Sequence, residues 1–338
     1  MKKAALLTGL LAAVLTINLT ACGSKKQDDG HYEIGIGYTT AANENDPYHI
    51  SASTFKSIVE ERSGGRITVH EYPSSQLGSE PEMWEGMQIN TCDMAVMTNA
   101  YVSSYARANG ALDLPFIFSD LEQARSIVDG EFGLALMDNL SNTGVTCLAY
   151  SEGGFRQLCT RKDAIRTPED LAGLKIRCME TKTYLSAYSA LGVNATPMAW
   201  GELLTALQQG TVDGCDAPLS VLYTNGFPDI CNYIDNVNLF YSPLPICIST
   251  KLYNSMSEED QKLLKEAAVE AAIITRQRND ESAAMMESDL ESQGMTIVHE
   301  DEVDNAAFRE VASACYDNME SYIGSEWVEW LEELVGIR

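Results

Sequence analysis

Apolar positions along residues 32–97 switch back and forth between a period of two and a period near 3.6. YEIGIGY (32–38) alternates as a strand does, and residues 50–62 follow with helical spacing. RITVHEY (66–72) predicts a second strand, 80–88 a second helix and CDMAVM (92–97) a third strand. This β-α-β-α-β rhythm predicts an open α/β sheet.

A second set starts near Gly154. In TPEDL (167–171) Thr167 stands as an N-cap, Pro168 at the first helical position, and acids fill the first turn. Gly173 ends that helix and GLKIRC (173–178) reads as a strand. KTYLSAYSALG puts Tyr184, Leu185, Tyr188 and Leu191 on one helical face, with Gly192 as the stop. WGELLTALQQG repeats the device with Trp200, Leu203, Leu204 and Leu207, and TVDGCDAP supplies another short strand. From SEED (257–260) helical spacing runs nearly to Gly294, beyond the usual 8–20 residues. Such a run either breaks near 278–282 or serves as a strut across two lobes.

A chain of 338 residues suits two domains rather than one core. Its start is read separately. Lys2 and Lys3 precede an uncharged apolar stretch, 4–19. As a helix that stretch spans about 24 Å, short of a hydrocarbon core of roughly 30 Å, so residues 1–21 predict a signal peptide. The stretch ends in LTAC, which resembles a lipobox. Cys22 is then the expected lipidation site and 22–30 a polar tether, which places the protein outside the cytoplasm on a lipid anchor.

The formal net charge is −26; losing Lys2 and Lys3 leaves 21 basic against 49 acidic groups, or −28. That balance argues against nucleic acid as a partner, though not against one small anion in a local basic pocket. Eight cysteines follow Cys22, with no C-x-x-C among them; Cys147, Cys178 and Cys247 lie in apolar runs, which predicts free buried thiols. There is no P-loop, G-x-S-x-G or H-E-x-x-H, and His31, His49, His70 and His299 show no metal-ligand spacing. GIGYTT (35–40) lacks the third glycine of a dinucleotide fingerprint. The expectation is a protein without cofactor, metal or catalytic residues.

In LKIRC, Leu174, Ile176 and Cys178 share one strand face and Lys175 and Arg177 the other. Arg177 lies near the carboxyl end, where ligands collect in open α/β sheets. There a guanidinium can grip a carboxylate through two parallel hydrogen bonds. The plainer alternative is a surface arginine paired with Glu169 or Asp170.

The ordered set LAGLKIR, ALGVNATPMAWGELLTALQQGTVDG and AP, with YPSSQLGSEPEMWEGMQ (72–88), DLPFIFSD (113–120) and GGFRQL (153–158), resembles the solute-binding proteins of TRAP transporters, the C4-dicarboxylate-binding or DctP-type family. The resemblance implies two α/β lobes of the type II periplasmic-binding-protein kind, bridged by a long helix. The expected lobes are 31–152 plus 243–280 and 153–242 plus 281–338. It also implies a monomer that closes around a small organic acid and delivers it to TRAP membrane subunits.

The family's carboxylate clamp falls on Arg177 and its second pocket arginine on Arg156. Trp200 takes a wall position, with a core residue as the alternative. Met179 and Glu180 face the cleft, and Asp216 joins the set just before Ala217. Thr98, Asn99 and Tyr101 contribute from the first lobe, as do Tyr38, Thr39 and Thr40 at the end of the first strand. The chain departs from the pattern at Ala217, where relatives often carry asparagine, and at Pro81, where many carry arginine. Thr98 replaces the acid of a sialic-acid pocket, which disfavours that ligand and leaves a uronate, another sugar acid or a C4-dicarboxylate. Rival readings are a binding protein for an ABC importer, a sensor partner and an exported enzyme.

Overall fold

The computed structural model describes residues 30–337; the export segment, Cys22 and the tether up to residue 29 lie outside the described residues. The first half of the chain forms β1 (Tyr32–Gly37), α1 (Pro47–Arg62), β2 (Ile67–Tyr72), α2 (Glu80–Ile89), β3 (Met94–Val96), α3 (Asn99–Val102), α4 (Leu121–Val128), α5 (Glu131–Leu140) and β4 (Val145–Thr160). It continues with β5 (Lys175–Cys178), α6 (Lys182–Ala190), β6 (Asn194–Pro197), α7 (Trp200–Gln209), β7 (Gly214–Pro218), α8 (Leu219–Thr224) and β8 (Tyr233–Ser249). The last segment is α9 (Thr250–Ser255), α10 (Glu258–Ser292), β9 (Thr296–Val298), α11 (Asn305–Ala312), α12 (Ala314–Ile323) and α13 (Ser325–Val335).

The strands run in the order β2-β1-β3-β8-β4-β7-β5-β6, with β9 on β8. β1 is parallel to β2 and β3, and β5 is parallel to β6 and β7. Between these groups run β4 and β8, long and antiparallel, paired from Val145 with Ser249 to Thr160 with Tyr233. Their first-group end meets β3 at Ala95 with Cys247, and their far end meets β7 at Cys159 with Cys215. The register slips between Glu152 and Gly154. Gly154 has φ +92°, a conformation that strains any side-chain-bearing residue. Alternation along each strand serves both faces: Met94 and Val96 enter the core with Phe55 and Ile246, while Ala95 enters the one with Trp84 and Phe240.

The outsized helix does not break. α10 has 35 residues, about 52 Å of rise. Ser257 caps it by accepting from the Asp260 N–H at 3.1 Å, and no Gly or Pro interrupts it. Near 278–282 the Ser282 hydroxyl folds back onto the Arg278 carbonyl, and the helix continues. A stripe of Leu264, Ala267, Ala268 and Ala271 is buried, small enough for close approach to α1; further along the helix packs on β4, α8 and β9. It therefore touches both strand groups.

Two local expectations differ from the structure. TPEDL forms a single 3₁₀ turn (Pro168–Leu171) rather than an α-helix. Leu185 is 38% exposed, because one residue past Tyr184 turns it 100° away from the face that Tyr184, Tyr188 and Leu191 bury. At the C-terminus α13 lays Trp327 and Trp330 edge-on against Phe132 of α5, at 5.9 and 5.0 Å between centroids.

Candidate functional site

Arg177 is the third residue of β5, and its side chain is 1% exposed. Nε and Nη2 both donate to the Met198 carbonyl, at 3.1 and 2.9 Å, which fixes the plane of the guanidinium. The group lies 5.9 Å from the centre of the Trp200 ring. Among the described residues no carboxylate comes within ion-pair distance of it. The alternative partners, Glu169 and Asp170, are not used.

Arg156 on β4 is buried too but differently employed. Its Nε donates to the Asp216 carboxylate and its Nη2 to the Asp216 carbonyl at 2.6 Å. Burial opposes the charge, yet the Asp216 carboxylate prevails and holds this guanidinium above its ordinary value. The other Asp216 oxygen accepts from the Tyr188 hydroxyl at 2.7 Å. Arg156 is thus neutralised within the fold, as is Arg276, paired with Asp129. Of the described buried cations only Arg177 lacks an acid.

Both arginines line a cavity walled on the opposite side by Thr39, Thr40, Tyr48, Glu80, Thr98 and Tyr101. Its volume is about 20 Å³. Past Thr39, Glu80, Tyr101 and Trp200 it opens into a cleft of about 180 Å³ with Glu180 at the mouth. Larger hollows lie beside Glu152 and Asn279, on the outer face of α10 beside Val269 and Ile273, and beside Tyr150 and Arg276. The first two are lined by no buried cation, and in the third Arg276 is already paired with Asp129, so the chemistry concentrates in the small cavity.

Glu80 begins α2 and is 4% exposed. It accepts from the Thr98 N–H at 2.5 Å and the Thr98 hydroxyl at 3.1 Å, and that hydroxyl pairs with Tyr48 at 2.7 Å. Burial pushes Glu80 up to about 7, against the opposing pull of the Thr98 bonds and the two arginines. Near neutral pH it can therefore either donate or accept. Burial also lifts Tyr101 to about 12, so its phenol keeps its proton.

The raised acid fixes a pH dependence. The folded protein holds the Glu80 proton up to about 7, whereas the unfolded chain releases it near 4.5, so stability falls as pH rises through that window. Buried Asp113 and Asp235, also raised to about 7, add to this slope, so Glu80→Gln is expected to lessen it and to stabilise the ligand-free protein at pH 8 by about 1–3 kcal/mol. Denaturant melts at pH 5 and pH 8 check it; an unchanged slope contradicts it.

The structure brings together Arg177, Arg156, Trp200, Thr98, Tyr101 and Thr39, with Thr40 and Met179. It leaves four expected residues outside the cavity wall. Glu180 is exposed at the mouth, and Asp216 turns its carboxylate onto Arg156 and Tyr188. Asn99 points into the first strand group, exchanging hydrogen bonds with Asn109 at 2.9 and 3.1 Å. Tyr38 is opposite in phase to Thr39 and places its hydroxyl 2.7 Å from His49 Nδ1. Glu80, Tyr48 and Val221 were not anticipated.

The sequence profile of the bacterial extracellular solute-binding proteins, family 7 (DctP), matches residues 38–322. A solute-binding protein of Verminephrobacter eiseniae is 35% identical over 273 residues, 81% of this chain and 80% of its own. A TRAP periplasmic solute-binding protein of a Polaromonas species, solved with bound D-erythronate, is 33% identical with a TM-score of 0.85, covering 89% of this chain and 98% of that one. One from Roseobacter denitrificans, solved with L-galactonate, is 30% identical with a TM-score of 0.81, covering 89% and 98%. With a matching fold and a profile spanning most of its length, the chain belongs to the DctP family of TRAP-transporter solute-binding proteins.

Proposed function

We propose that the protein captures a hydroxylated monocarboxylate, such as an aldonate or uronate, between two lobes and releases it unchanged to TRAP membrane subunits. The lobes are 31–152 plus 243–280 and 153–242 plus 281–338, hinged where the paired strands β4 and β8 pass from one strand group to the other. The observation that carries this reading is Arg177, among the described residues the one buried cation without an acid, in a cavity also lined by Thr39, Thr40, Tyr48, Thr98 and Tyr101. A C4-dicarboxylate asks for a second free cation, and Arg156 is committed to Asp216. Relatives solved with D-erythronate and L-galactonate support the choice. From LTAC we also infer a lipid anchor on Cys22 of an otherwise monomeric extracytoplasmic protein; Cys22→Ala should release it from the membrane.

A thermal-shift panel of galacturonate, galactonate, erythronate and succinate tests the substrate class. A true ligand at 100 times its Kd adds about 2.7 kcal/mol of stability. Stabilisation by one or more sugar acids and none by succinate is expected; a larger effect of succinate than of any sugar acid contradicts it.

A further inference from the structure

The two strand groups meet a second time just outside the cavity. Asp46, the N-cap of α1, is fully buried. Its Oδ1 accepts from the Thr40 hydroxyl at 2.7 Å and from the Tyr48 and His49 N–H groups at 3.0 and 3.4 Å. Its Oδ2 faces the other way, accepting from Thr224 Oγ1 at 3.1 Å and Asn225 Nδ2 at 3.0 Å at the end of α8. Asn225 answers by accepting from the Ala41 N–H at 3.0 Å. Three hydrogen bonds therefore join the β1–α1 loop to α8. Two of them end on a buried carboxylate, the stronger kind.

The clasp stands on the segments that form the cavity. Thr40 lines the cavity and bonds Asp46; Val221, one helical turn before Asn225, lines it from the opposite lobe. Asn225 Nδ2 also donates to the Val221 carbonyl at 3.0 Å. None of Asp46, Thr224 and Asn225 lines the cavity itself.

We propose that Asp46, Thr224 and Asn225 form a closure latch, positioning residues that set the fraction of closed protein and hence the residence time of whichever acid is held. The proposal rests on the functional reading only in taking closure to be the binding step. The three bonds exist only when the lobes meet, so they favour the closed state. Apparent affinity scales with the closed fraction, whatever the ligand.

The test replaces the α8 side alone, Thr224→Val with Asn225→Ala, leaving the α1 cap intact. Spin labels at Glu61→Cys and Gln208→Cys, both exposed positions on opposite lobes, report interlobe distance; the eight cysteines after Cys22 are buried. Galacturonate and erythronate serve as probes in stopped-flow release. The variant should show longer ligand-free distances, or release both probes about 5- to 50-fold faster by the same factor, with a single cooperative thermal transition retained. Unchanged distances together with unchanged release would overturn the latch. If the wild-type protein binds neither probe, the functional reading fails instead, and the distances alone decide the latch.

Discussion

Arg177→Ala should weaken sugar-acid binding by about 2–5 kcal/mol, roughly 30- to several-thousand-fold. The size follows from the setting. The guanidinium is already desolvated and held by Met198, so an arriving carboxylate meets a preorganised cation in a water-poor cavity. Arg177→Lys keeps the charge and should still lose about tenfold or more, because an ammonium cannot reproduce the planar fork. Calorimetric titration with galacturonate measures both. The ligand-free melting temperature of Arg177→Ala should hardly fall, since no internal ion pair is lost. Affinity of Arg177→Ala equal to wild type would remove the clamp.

Asp216→Ala should do the reverse, damaging the fold before the function. It leaves the Arg156 guanidinium buried without a counter-charge and the Tyr188 hydroxyl without its acceptor. Breaking such a pair costs about 3–5 kcal/mol, mostly from the stranded charge. Replacing both members, Arg156→Met with Asp216→Leu, should recover most of that stability, because the pair's mutual attraction largely offsets its desolvation. Ligand-free urea melts of the single and double variants decide it. A mild single variant, or a double variant no better than the single, would show that Arg156 is not held as the structure places it.

Much of this architecture was legible in the chain. Alternating periods gave the parallel strands, and the uninterrupted run after Ser257 gave the helix that touches both strand groups. Arg177 was legible for a physical reason: in a short strand its phase is opposite to Ile176 and Cys178, and its position is near the carboxyl end. The cavity's other half was harder to read. Glu80 looks like an acid placed for a helix start, which it also is, and Tyr48 looks like an ordinary core aromatic. Whether Asp216 meets a ligand or an arginine depends on Arg156, 60 residues earlier on the antiparallel neighbour β4, and no local pattern reports that. Asn99 and Tyr38 show the limit of reading by neighbourhood: each adjoins a cavity residue, Thr98 or Thr39, yet its side chain leaves in another direction.

The most direct test of the central claim is a crystal structure with galacturonate bound. The account predicts both carboxylate oxygens within hydrogen-bond distance of Arg177, and Arg156 still joined to Asp216. A carboxylate seated on Arg156 or facing solvent, with Arg177 held by the Met198 carbonyl alone, would contradict it.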